Sequence, residues 1–293
     1  MKFGLQIPSF TWPGGDAAIG PTLARVVETA DAVGFDSIWV MDHFWQIRSV
    51  GAVDEPMLEG TTALGFMAAH SRRARLGLMV GGVHYRAPGL WIKAATTLDV
   101  LSGGRAWFGI GAAWNEAESR GLGFAFPSLG ERFAMLEDTL KMAHGMWSGE
   151  RGSGTSLEGT TIQAERLLNS PQSLSRPRIP IMVGGGGERK TLRLVAQYAD
   201  GCNVFGDAER IAAKYAVLRE HCKAIGRPYD AIERSTLLGK IDLERASTGE
   251  LVQRFGSLGE AGAQQIIISV VGVNDTSRLE RLAAEVLDPL RDA

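Results

Sequence analysis

The sequence predicts a (β/α)8 TIM barrel formed by one domain over residues 1–293, and three observations carry that prediction. Short apolar runs alternate strictly with longer segments of helical periodicity, which is the pattern of a parallel sheet. Eight such pairs can be counted, enough to close the sheet on itself. Three of the runs end in glycine clusters, at Gly81 and Gly82, at Gly109 and Gly111, and at Gly184 to Gly187, where parallel strands open onto loops. An open, doubly wound sheet is the alternative reading.

The clearest unit is Leu76 to Glu116. An apolar run, Leu76 to Val80, meets a glycine pair. Pro88 then opens a helical pattern in which Leu90, Ala94, Leu98 and Leu101 recur at three- and four-residue spacing, until Gly103 and Gly104 stop it. A second run, Ala106 to Ile110, follows. The remaining predicted strands are Phe3 to Ile7, Ser37 to Met41, Ile179 to Val183, Gly201 to Phe205, Ser235 to Ile241 and Gln265 to Val270. The other helical patterns lie near residues 21–33, 59–70, 132–147, 187–199, 208–225, 248–258 and 276–289. Continuously apolar strands of this kind suit a parallel sheet covered by helices. Two insertion segments break the rhythm: Trp45 to Leu58 after the second strand, and Glu150 to Arg178 before the fifth. Both are long for connections inside a compact domain, so they are expected to be lids or pocket walls that set substrate selectivity.

Composition narrows the class. With 45% hydrophobic and 22% charged residues the chain can build a large core. A net charge of −2, and no basic run denser than Arg72, Arg73 and Arg75, give no reason to expect nucleic acid or an anionic membrane as partner. The first ten residues read as a buried strand rather than a signal peptide, and no window approaches the roughly 18 apolar residues of a membrane span. Cys202 and Cys222, the two cysteines, lack metal-ligand spacing and read as core thiols of a cytoplasmic protein; no metal site is expected.

Chemistry is expected at the carboxyl ends of the strands, where barrel enzymes place it. Asp42 and His43 close the second strand, and His43 is the leading candidate for proton chemistry near neutral pH, with Asp42 to orient it. His84 follows the third strand and can also face the mouth. His70, His144 and His221 fall in helical patterns and read as solvated or satisfied side chains. Gly184 to Gly187 run straight into a helix, so backbone amides there can hold a phosphate, although four glycines can equally form a tight turn. Trp114, Asn115 and Glu116 add groups beside them.

Together VMDHF, LGLMV with YRAP, LDVLSGGRAWFGIGAAWNEAE, and MVGGGGERKTLRLVAQYAD resemble the bacterial-luciferase-like monooxygenase superfamily, specifically its coenzyme F420-dependent oxidoreductases. The resemblance covers residues 1–205 well and the rest loosely. It implies a barrel that binds a deazaflavin or flavin at its mouth, with His43 beside the ring and Asp42 next to it. A non-prolyl cis peptide under the ring maps to Met79-Val80, followed by Gly81 and Gly82. Phosphate and tail contacts map to Gly109, Gly111, Ala112, Trp114 and Asn115, and to Gly184, Gly185, Gly186, Gly187 and Glu188, with Arg86, Arg189 and Lys190 as possible cations for the tail. One departure stands out: sugar-phosphate dehydrogenases of the family carry a glutamate proton donor in a longer loop after the fourth strand, where GIGAAWNE offers Trp114. The implied activity is hydride transfer between F420 and a small organic substrate. The alternatives are an FMN-dependent two-component monooxygenase served by a flavin reductase, and an F420- or flavin-binding protein without turnover. An isomerase or aldolase barrel is disfavoured, since no strand end offers a Schiff-base lysine. A homodimer is the family expectation.

Overall fold

A computed structural model describes residues 1–291. Eight strands, β1 (Lys2–Ile7), β2 (Ser37–Val40), β3 (Arg75–Leu78), β4 (Ala106–Gly111), β5 (Ile181–Gly184), β6 (Gly201–Val204), β7 (Glu233–Ile241) and β8 (Gln265–Val270), form a closed parallel ring. The ring order is β3-β2-β1-β8-β7-β6-β5-β4. The seam between β3 and β4 closes through Leu76 opposite Ala106 and Gly77 opposite Trp107. Beyond the seam a two-residue strand, Gly81–Gly82, pairs with Ile110 and Gly111. The (β/α)8 expectation therefore holds, and the open sheet does not.

Side chains alternate across each strand, so one set fills the barrel and the other meets the helices. Trp39, Met79, Trp107, Met182 and Ile267 form the inner cluster. Two tryptophans fit inside because small residues stand opposite them. A Cβ on Gly77 would lie 2.6 Å from the Trp39 ring, and one on Gly201 would lie 3.3 Å from Trp107. The alternate residues, such as Ile38, Val40, Phe108 and Ile266, join the larger core beneath the helices.

The helices follow the predicted order: α1 (Ile19–Ala32), α2 (Gly60–Ala69), α3 (Pro88–Leu101), α4 (Glu116–Gly121), α5 (Leu129–Met146), α6 (Thr191–Tyr198), α7 (Ala208–Ala224), α8 (Thr248–Glu260) and α9 (Ser277–Leu282), the last running on through a π-helical turn, Ala283–Leu287. Pro88 starts α3, and complete capping boxes at Ser128 and Ser247 start α5 and α8. Short α4 is the helix that periodicity does not reveal.

The segment Glu150 to Arg178, expected as a lid or a pocket wall, is not at the mouth, so it is no lid there. It joins the end of α5 to the start of β5, and such connections cross the amino-terminal end of a barrel. Its own contacts hold it there: the Asp99 carboxylate at the end of α3 accepts from the backbone of Leu174 (2.7 Å) and Ser175 (2.9 Å). A hairpin within it, Leu157–Glu158 paired with Gln163–Ala164, docks on α5 through the Asp138 carboxylate and the Thr161 amide (2.6 Å). Trp45 to Leu58, by contrast, follows β2 and lies on the mouth side, where Lys240 at the end of β7 donates to the Val50 carbonyl at 2.6 Å.

Candidate active site

His43 stands three residues beyond β2, and its ring is largely buried. Its Nδ1 lies 2.8 Å from Glu118 Oε2. Glu118, on α4, is itself fully buried and collects donors from three directions. Its Oε1 takes the amides of Phe44 and Trp45, the latter at 2.9 Å, while Oε2 also takes the Tyr85 hydroxyl (2.8 Å) and Asn115 Nδ2 (3.1 Å). Burial pushes this carboxyl upward, but bonds from His43 and from the Trp45 amide outweigh it and hold the pKa below the ordinary value. An ionised Glu118 makes Nδ1 a donor, which leaves the lone pair of a neutral imidazole on Nε2, where the described residues supply no partner.

Asp42 does not orient His43, contrary to expectation. Its carboxylate accepts both guanidinium nitrogens of Arg86 at 2.7 Å and the Gly82 amide at 2.9 Å. Arg86 is bonded to Glu59 as well, so it is committed inside the wall and not free for a cofactor tail. Burial raises the Glu59 carboxyl, yet bonds from Arg86 and Thr62 bring it down to about 2. His84 places Nε2 2.7 Å from Ser119 Oγ and leaves a buried Nδ1 without a partner among the described residues; burial and the nearby Arg132 charge keep its pKa low.

The Met79-Val80 peptide is cis, as the resemblance implies. Val80 beyond it sits in a nest of glycines. A Cβ on Gly111 or Gly184 would come within 2.9 or 2.7 Å of its methyl groups, and one on Gly109 would come within 1.9 Å of the Leu78 carbonyl. Gly81 makes way for the Trp91 ring and Gly82 for Tyr85. These five glycines thus meet the chain's own atoms, whereas Gly185 and Gly186 face Thr191 and Lys214 more loosely, at 3.5 and 3.6 Å; Gly187 is tight again, since a Cβ there would lie 2.8 Å from Thr191 Oγ1. The amides of Gly186, Gly187 and Glu188 have no acceptor among the described residues, and neither do those of Ala112, Ala113 and Trp114 in the adjacent loop. Two neighbouring loops with free N–H groups at the carboxyl ends of β4 and β5 fit an anionic group such as a phosphate. Trp114, 64% exposed, lies edge-on to His43 with centroids 5.5 Å apart. Glu188 pairs with Lys214 at 2.7 Å, while Arg189 and Lys190 are exposed.

Residues 1–239 match the family model described as luciferase-like monooxygenase. The chain belongs to that family. Among curated relatives, a protein named F420-dependent glucose-6-phosphate dehydrogenase from Nakamurella multipartita is 28% identical over 278 residues, covering 91% of this chain and 76% of its own length. Two solved structures share the luciferase-like fold. The coenzyme F420-dependent tetrahydromethanopterin reductase from Methanopyrus kandleri has a TM-score of 0.79 at 16% identity and covers 98% of each chain. A riboflavin lyase solved with modified FMN and riboflavin has a TM-score of 0.82 at 13% identity, covering 100% of this chain and 91% of its own. The fold alone therefore does not separate the two cofactors.

Glu118 escaped the sequence reading because it lies outside every strand end. A signal was present: Asn115 caps α4, with its Oδ1 accepting from the Glu118 amide at 3.3 Å, and Asn-x-x-Glu is the spacing of a helix start.

Proposed function

We propose that this protein is a coenzyme F420-dependent oxidoreductase that moves a hydride between the deazaflavin and a small organic alcohol or carbonyl compound. The observation that carries the chemistry is the pairing of His43 with the buried Glu118 at the end of β2. Relatives named for F420-dependent dehydrogenation, alignable over nine-tenths of the chain, support the choice of cofactor. Bound F420 supplies a carbon that accepts or returns hydride and reacts poorly with oxygen. The unpartnered amides at residues 112–114 and 186–188 are the groups to hold its phosphate, and the wall at Met79 and Val80 is the surface for its ring.

His43 handles the proton. With Nδ1–H fixed on Glu118, Nε2 accepts the hydroxyl proton when an alcohol is oxidised and returns it to the oxygen when a carbonyl is reduced. Glu118 stabilises the imidazolium formed in between and prevents the ring from turning. Tyr85 and Asn115, bonded to the same carboxylate, keep it in place. Trp114 beside His43 gives the substrate an apolar face, so a compound with an apolar body suits the site better than a sugar phosphate. A homodimer is the proposed assembly.

The test is titration of the purified protein with F420 and with FMN, read by fluorescence quenching. F420 is expected to bind at least about tenfold more tightly, close to 1.4 kcal/mol. Equal or tighter binding of FMN overturns the cofactor assignment and favours the monooxygenase reading.

A further inference from the structure

The opposite end of the barrel carries a second concavity, of about 630 Å³, whose rim includes Arg73, Arg75 and Arg176 and whose floor includes Trp107 and Gln265. We propose that this basin is a binding site for a small organic phosphate, separate from the mouth. Its size lies within the range of ligand pockets. The insertion before β5 helps to build it, since Ser175, Arg176 and Pro177 form part of the wall.

Charge favours an anion, by a small excess: the lining carries Lys2, Arg73, Arg75, Arg176 and Arg178 against Asp31, Asp36, Asp200 and Glu233. The carboxylates have their hydrogen-bond capacity taken up by the protein. Asp31 accepts the amides of Arg72, Arg73 and Ala74, and Asp36 accepts the amide of Phe3. Asp200 is paired with Arg178, and Glu233 with Lys2. Three guanidiniums have no carboxylate partner among the described residues. Arg73 donates to the carbonyls of Asp31 and Ala32, and Arg176 to those of Ser173 and Ser175. Arg75 makes no hydrogen bond there and lies 5.9 Å from the centroid of the Trp107 ring. Against the upward push of burial, Arg73 lies close enough to Asp31 to help hold its carboxyl down, which leaves Arg75 and Arg176 as two exposed forks without a carboxylate beside them, and guanidinium geometry matches phosphate oxygens.

A separate observation comes from the floor. Gln265 is 2% exposed; its Nε2 donates to Ser37 Oγ at 2.8 Å, and its Oε1 has no partner among the described residues. Ser37 Oγ also receives the Trp39 indole N–H at 2.7 Å, so the hydroxyl has a proton of its own to give. A half-turn of the Gln265 amide lets the carbonyl take that proton and puts the NH2 in the unpartnered position. A buried polar atom left over at the floor of a cavity is one that a ligand can satisfy. In either rotamer one arm of the amide is available, as acceptor for a ligand hydroxyl or as donor to a phosphate oxygen.

The experiment is isothermal titration calorimetry of the full chain with glycerol 3-phosphate, inorganic phosphate and glycerol. Both phosphates are expected to bind and glycerol not to, with affinity falling as salt rises. The double variant Arg75→Ala/Arg176→Ala replaces two exposed side chains and is expected to keep the wild-type Tm while losing at least tenfold in phosphate affinity. A monoester preferred over inorganic phosphate supports an organic body seated against Trp107. No binding of either phosphate, or the same affinity in the double variant as in wild type, overturns the proposal; the latter places the phosphate at the mouth.

Discussion

Glu118 accepts hydrogen bonds from His43, Phe44, Trp45, Tyr85 and Asn115, so its charge is balanced by five donors rather than by one counter-ion. Glu118→Gln keeps the shape but turns an NH2 toward groups that are donors themselves, which costs about 1–3 kcal/mol at a buried position. The expected result is a fall in turnover of about tenfold or more with cofactor affinity nearly unchanged, since the carboxylate acts through His43. His43→Ala is expected to lower turnover by roughly 10²-fold or more and to spare cofactor binding equally. Titration with F420 followed by single-turnover kinetics measures both quantities. Unaltered turnover in either variant removes that residue from the chemistry.

At the scale of elements, the β3–β4 seam shows why glycines cluster where they do. Only two residue pairs join these strands before the cis peptide, and Val80 then needs room against β4 and β5. Gly109→Ala would drive a methyl group to 1.9 Å from the Leu78 carbonyl, a contact that backbone atoms cannot relieve by a rotamer change. Its expected cost is upward of about 4 kcal/mol, in the range reserved for severe overpacking. Denaturant unfolding measures it, and a loss below about 1 kcal/mol would contradict the packing role. Gly185 differs, because it has φ +121° with no close neighbour but Thr191, at 3.5 Å. There Gly185→Val is expected to distort the loop that carries the free amides of Gly186 to Glu188. The readout is a cofactor Kd raised at least tenfold, with a stability loss smaller than that of Gly109→Ala.

For the whole molecule, buried and bonded carboxylates set the acid limit of stability. Glu59 has a folded pKa of about 2 against an ordinary 4.5, and Glu118 and Asp31 are also lowered. A depressed carboxyl contributes stability that is fully present above its unfolded pKa and is lost as pH falls through the folded one. For Glu59 that window runs from 4.5 down to about 2. Because a third of the Glu59 side chain meets solvent, its contribution is discounted to about 1–2 kcal/mol. Glu59→Gln should therefore be less stable than wild type near neutrality by about that amount, and the difference should vanish as pH approaches 2. Chemical denaturation at several pH values checks this; a difference that stays constant with pH would show that the Arg86–Glu59 bond acts through packing alone.

Strand and helix order and barrel closure were legible in the chain, because they follow from periodicity and small-residue punctuation, which are local. His43 at a strand end and the glycines after β5 were legible for the same reason, and the family motifs added the cis bond at Met79-Val80. What local pattern does not carry is partnership across the fold. Asp42 is adjacent to His43 in sequence yet bonds Arg86, 44 residues away, while the group that holds His43 is Glu118, 75 residues on. The insertion before β5 reads as a lid or pocket wall by length alone, but α-to-β connections return to the amino-terminal end, so topology sends it to the floor of the barrel. The sequence by itself thus determined the scaffold and the donor types at its mouth. Only the tertiary structure decided which charges pair, because pairing depends on distances set by ring closure between residues far apart in the chain.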